Sequence, residues 1–213
     1  SITPIIGEES DDQLAEEFLK KSFDRAKDIL EISPNDGISY YIFYLSTKIL
    51  TGIHRSNNEF LDAADIAQEF VDFAEGHNLL SSMYPWPLSV DIGSVFNNTY
   101  QYEESIKIQR WAVRNAFVLN TPNYFKGALY NNQADVHYAM EEYDSAKFYF
   151  HKAIGYMGKD DRFTSGINIR LAQIKIAEKN YNESIIDLNS CLDFFENTQK
   201  DTLEIIFVLK EFL

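Results

Sequence analysis

The chain has 213 residues, 45% of them hydrophobic and including 13 Tyr and 16 Phe, enough for a packed core and too apolar for a disordered chain. Its 33 acidic and 19 basic residues leave a formal charge of −14, a field that repels phosphate backbones and argues against direct nucleic-acid binding by this segment. The longest apolar run, 38–50, is broken by Ser39, Ser46, Thr47 and Lys48 and is too short to cross a bilayer; the N-terminus carries no basic, apolar leader. The lone Cys191 excludes an internal disulfide, and together these features point to a cytoplasmic protein with no membrane partner.

Taken in chain order, the first predicted helix spans 10–33, with Ser10 as its N-cap and Leu14, Phe18, Phe23, Ala26, Ile29 and Leu30 on its apolar face. Pro34, Asn35, Asp36 and Gly37 stop it, first by a missing donor and then by turn-tolerant backbone. This helix reads as the second half of a hairpin whose first half lies upstream. The acidic residues at its start read mainly as a solvated face near a helix N-terminus, with a docking surface for a basic partner as the alternative.

Four helix pairs follow, at 38–54 with 58–75, 87–98 with 102–119, 123–140 with 143–157, and 163–178 with 181–197. Ile38, Tyr41, Ile42, Leu45 and Ile49 illustrate the three-and-four spacing that builds a single apolar stripe. No sustained alternation bounded by turn residues predicts a strand. A closing helix at 202–213 carries Leu203, Ile206, Phe207, Phe212 and Leu213, apolar groups costly to leave in water and therefore candidates for dimerisation. The whole chain is read as one all-α domain.

The pairs share a phrase. Small residues at Gly93, Ala134 and Ala172 on the first helices, and at Ala63, Ser105, Ala146 and Ser184 on the second, let backbones approach. Phe60, Tyr102, Tyr143 and Tyr181 open the second helices at a period of roughly 40 residues, as helical-hairpin arrays do. In this pattern the chain resembles tetratricopeptide repeats over about residues 38–197, with repeats at 38–75, 87–119, 123–157 and 163–197, a half-repeat at 10–33 and the closing helix as a cap. The resemblance implies a right-handed superhelical array of antiparallel helix hairpins, a solenoid whose first helices line a concave groove. By motif phase those groove positions are Arg55, Ser94, Asn97, Asn98, Asn131, Asp135, Tyr138, Ile169, Gln173 and Ile176. Amide side chains among them offer both donors and acceptors for the backbone of an extended peptide. Asn97 and Asn98 read equally as a helix end before the turn at Gln101.

Chemistry is sparse. His54, His77, His137 and His151 form no short-spaced pair typical of zinc sites, and His137 takes an aromatic packing position. Phosphate loops, nucleophile elbows and dinucleotide fingerprints are lacking in the sequence, so the expectation is a non-enzyme with no cofactor, metal or catalytic residue. Cys191 sits at a packing position of the last repeat.

The long repeat, the asparagines at 97, 98, 131 and 132, the unpaired first helix and the apolar closing helix together resemble the C-terminal peptide-sensing domain of Rgg/PlcR-type bacterial transcriptional regulators. That resemblance implies the sensor half of a quorum-sensing regulator, holding a short peptide in the groove and relaying it through a homodimer. The alternative is an intracellular protein–protein interaction scaffold of the tetratricopeptide type. A hydrolase of phosphoryl groups is a weaker third reading, without a visible catalytic set. In the first two readings the ligand is a short peptide or protein segment, neutral to basic or apolar, since the groove positions carry few cations and the chain is acidic.

Overall fold

The computed structural model describes residues 11–80, 83–158 and 162–196, and among these every regular element is a helix. There are nine α-helices among the described residues: α1 (Asp11–Ile32), α2 (Gly37–Ser56), α3 (Phe60–Gly76), α4 (Ser94–Asn98), α5 (Tyr102–Val118), α6 (Asn123–Ala139), α7 (Tyr143–Met157), α8 (Arg162–Ala177) and α9 (Tyr181–Phe194). The fold is an all-α helical repeat, with the predicted helix pairs close to their predicted bounds. The one change of character lies at 87–98, where a π-helix, Pro87–Gly93, precedes the short α4. Ser10 and the closing helix with Leu203, Ile206, Phe207, Phe212 and Leu213 lie outside the described residues. None of the described helices is long and apolar enough to cross a membrane.

The turns explain how such short links hold helices antiparallel. Asn58, Tyr100, Glu141 and Lys179 each have positive φ, between 59° and 65°, one residue before the start of the next helix or its N-cap. Each sits at the C′ position of a Schellman motif, the paired bonds that satisfy the last carbonyls of a helix. After α6, for example, Glu141 N–H donates to Tyr138 O at 3.0 Å and Glu142 N–H to His137 O at 2.9 Å. The same two bonds follow α2, α4 and α8, and Asn78 and Asn120 repeat them after α3 and α5. Glycine is the residue best suited to this backbone, yet none of the six positions carries one. Glu141→Gly is therefore expected to stabilise the protein by about 0.5–1 kcal/mol, its relief of left-handed strain partly offset by a looser unfolded chain. Urea unfolding of the variant, with an unchanged denaturant slope, checks this.

The chain divides into two compact units, one formed by Ser1–Met83 with Asp91–Gln101 and the other by Tyr84–Val90 with Tyr102–Leu213. In the first, Phe43 is fully buried and gathers Phe23, Phe70 and Phe73 around it with ring centroids 4.6, 5.1 and 5.1 Å away. In the second, Ala134 of α6, Ala146, Phe150 and Ala153 of α7, and Ile167, Leu171 and Ile174 of α8 form one core cluster. A second cluster joins Ile169 and Ala172 of α8 to Leu188 and Cys191 of α9 and to Phe195. The small residues of the repeat phrase are buried throughout, which lets helix axes approach while Phe150 and Leu188 fill the gaps between them.

Candidate peptide-binding site

The second unit brings together residues of two successive first helices, α6 and α8. On α6, Asn131, Asp135 and Tyr138 stand at i, i+4 and i+7, one face of a helix. Asn131 Nδ2 donates to Asp135 Oδ2 at 3.1 Å. From α8, Arg170 Nε lies 3.7 Å from Asp135 Oδ1, and its Nη1 donates to Gln173 Oε1 at 3.0 Å. The Arg170 guanidinium also lies over the Tyr138 ring, 5.5 Å from its centroid. Five side chains thus form one connected polar surface, and all five are partly open to solvent.

Electrostatically the centre of this surface is Asp135. Crowding by protein atoms pushes its carboxyl up to about 6, against the opposing pull of Arg170 and of the Asn131 amide. Its side chain nevertheless keeps 35% of its exposure, so water reaches it from one side and moderates the energetic consequence of that crowding. A carboxylate walled on most sides and open on one is suited to receiving a donor group from a ligand.

Arg170 is absent from the sequence-predicted set. Motif phase points instead to Ile169, which is only 1% exposed and packs in the α8–α9 core, while Ile176 lies partly buried against the same core. The solvent-facing stripe of α8 runs instead through the partly open Arg170 and Gln173, one residue further round than Ile169 at its first position. The signal available in the sequence was the cation itself, placed one residue beyond Ile169.

In the first unit, Arg55 Nη1 donates to Ser94 Oγ at 3.4 Å, joining two more predicted positions. Nearby on α2, Tyr44 donates to Asp91, and Lys48 Nζ lies 3.3 Å from the same carboxylate. Burial and the Asp91 charge hold the Tyr44 hydroxyl well above its ordinary range. Asn97 has a buried Oδ1 without a hydrogen-bond partner, and Asn98 is exposed at the end of α4.

Two other groups singled out in the sequence serve the fold. Asn132 Nδ2 donates to Ser89 Oγ at 2.8 Å, and Ser89 donates onward to Gln109 Oε1 at 2.6 Å, a buried relay within the second unit. Cys191 is buried with its thiol against Ser165 O at 3.6 Å, and burial pushes it up to about 11, so little thiolate exists at neutral pH.

Residues 127–156, the α6–α7 hairpin, match the Tetratricopeptide repeat family. The fold is similar to that of BtubC (BKLC) from P. vanneervenii, with a TM-score of 0.65 and 12% identity over 94% of this chain and 81% of that one. It is also similar to MamA, with a TM-score of 0.57 and 16% identity over 94% of this chain and 100% of that one. No curated protein sequence matches the chain.

Proposed function

We propose that the chain is a protein-interaction module that holds a short extended segment of a partner across α6 and α8. The observation that supports it most is the Asn131–Asp135–Arg170–Gln173 network, a partly open set of donors and acceptors on two neighbouring first helices. Asn131 and Gln173 pair with peptide backbone, Tyr138 supplies an apolar wall, and Asp135 selects a neutral or basic group on the ligand. The acidic charge of the whole chain, −14, favours the same ligands by steering.

A short peptide selected from a display library at pH 7.5 is expected to lose about tenfold or more in affinity with Asn131→Ala or Arg170→Ala, read by calorimetry, with helical content unchanged. For a lysine- or arginine-bearing peptide the affinity falls as the pH drops through about 6, where Asp135 takes up a proton and loses its charge. Selected peptides that bind both variants as tightly as the parent chain would place the groove elsewhere.

A narrower form of this reading makes the chain the sensor of a peptide-regulated transcription factor. It is favoured by Asn131, whose mid-helix amide is a poor helix former but a good partner for peptide backbone. It requires a DNA-binding domain in the full-length protein and dimerisation through the closing-helix residues Leu203, Ile206, Phe207, Phe212 and Leu213. A full-length gene product without a helix-turn-helix, or a monomer by sedimentation, leaves the scaffold reading alone standing.

A further inference from the structure

The turn between α2 and α3 and the turn between α6 and α7 share a side-chain clasp. His54 Nδ1 meets Glu59 Oε2 at 2.6 Å, and His137 Nδ1 meets Glu142 Oε2 at 2.7 Å, with the same five-residue spacing. In both, a buried imidazole from the last turn of one helix holds the N-cap residue of the next. The α6–α7 copy shows that the pair suffices for the turn, since Ser145 stands where the first copy has Asp62, and His137 Nε2 is buried with no hydrogen-bond partner.

The first copy carries more than the turn needs. His54, Glu59 and Asp62 offer ligand atoms that all lie within 4.8 Å of one another. Glu16 of α1 approaches from the other side, its Oε1 3.7 Å from His54 Nε2. Three carboxylates thus surround one imidazole that is only 7% exposed. We propose that this cluster is a divalent transition-metal site of the zinc class, with His54 Nδ1, Glu59 and Asp62 as ligands and Glu16 as the outer carboxylate.

The chemistry of the donors selects the metal. An imidazole nitrogen with two carboxylate oxygens and no sulfur suits zinc and its neighbours, whereas magnesium and calcium prefer oxygen alone. Glu16 Oε1, which accepts from Lys20 Nζ at 2.6 Å, stands 3.7 Å from His54 Nε2, beyond hydrogen-bond distance but placed to favour the proton on that nitrogen when Nδ1 takes the ion. The ion would sit where His54 Nδ1 now meets Glu59 and would offset the repulsion between the Glu59 and Asp62 carboxylates. The α3 N-terminus is poor company for a cation, but the α2 C-terminus meets it at the same turn and opposes its dipole.

Calorimetric titration of the whole chain with zinc chloride, in a non-chelating buffer at pH 7.5, tests the site. One ion per chain is expected, with micromolar affinity and no competition from millimolar magnesium. Asp62→Asn changes an exposed side chain and is expected to weaken binding at least tenfold, His54→Ala to abolish it, and His137→Ala to leave it unchanged. Zinc should also raise the unfolding temperature of the parent chain but not of His54→Ala. Absence of binding up to millimolar zinc, or binding that survives Asp62→Asn or His54→Ala undiminished, overturns the assignment and marks the cluster as an ordinary turn clasp.

Discussion

Phe150→Ala is expected to cost about 3–5 kcal/mol, the range for deleting a fully buried aromatic whose surroundings cannot collapse. Phe150 has no exposed surface and stands in the cluster that joins α7 to α6 and α8. Its neighbours on α7 are Ala146 and Ala153, one turn to either side, and Ala134 faces it from α6. Those alanines let the helices approach, but they have no side-chain length with which to fill a vacancy. A void therefore remains, lined by Ile167, Leu171 and Ile174, which lose dispersion contacts outright. Urea unfolding followed by circular dichroism measures the loss. Phe148→Ala is the control, because Phe148 is 53% exposed and contributes mainly a cation–π contact to Lys152 at 4.5 Å; its cost should not exceed about 1 kcal/mol. The same cluster fixes α8 against α6, so Phe150→Ala is also expected to loosen the Asp135–Arg170 approach and weaken peptide binding.

Legibility in the sequence followed the strength of the periodic signal. Helix existence rests on many apolar positions acting together and was legible, but the buried face of α2 was not. Ile38, Tyr41, Ile42 and Ile49 of the predicted stripe are exposed. The helix instead buries Phe43 and Leu50 among Ser39, Ser46, Thr47 and Thr51, small polar residues that let helices approach and carry no hydropathy signal. The left-handed turns were less visible, because the usual marker is glycine and this chain uses Asn, Tyr, Glu and Lys instead. Site residues depend on helix rotation, where an error of one residue turns a side chain by about 100°. That is the fate of Ile169: aligning repeats by Ala134 and Ala172 carries Asn131 onto Ile169, whereas the side chain that reaches Asp135 is Arg170. Asn131, Asp135 and Tyr138, assigned by the same motif phase, do share a face, since all three lie on α6 at i, i+4 and i+7. The carboxylates around His54 were invisible for another reason: Glu16 is distant in the chain, and a five-residue His–Glu spacing crosses a helix end, where helical periodicity fails.

Gly127→Val is expected to lower stability by about 2–3 kcal/mol through overpacking. A Cβ placed on Gly127 would sit 2.5 Å from Met157 Cγ, 3.0 Å from the Ala153 carbonyl oxygen and 3.3 Å from Tyr156 Cβ. The methionine side chain can swing aside, but the Ala153 oxygen belongs to the backbone of α7 and moves only if the helices separate. Even Gly127→Ala, which gains about 1 kcal/mol in helix propensity, should show no net stabilisation. Gly155 of α7 supplies the contrast, since a Cβ there meets nothing within 4 Å. Gly155→Ala should therefore stabilise by up to about 1 kcal/mol, the propensity term acting alone. Denaturant unfolding of the three variants separates close helix approach from glycine's intrinsic cost. Gly127 also lies one turn before Asn131, so a helix pushed away from α7 at that point carries Asn131, Asp135 and Tyr138 with it. Peptide affinity is accordingly expected to fall in Gly127→Val and to be preserved in Gly155→Ala, although neither residue touches the proposed ligand.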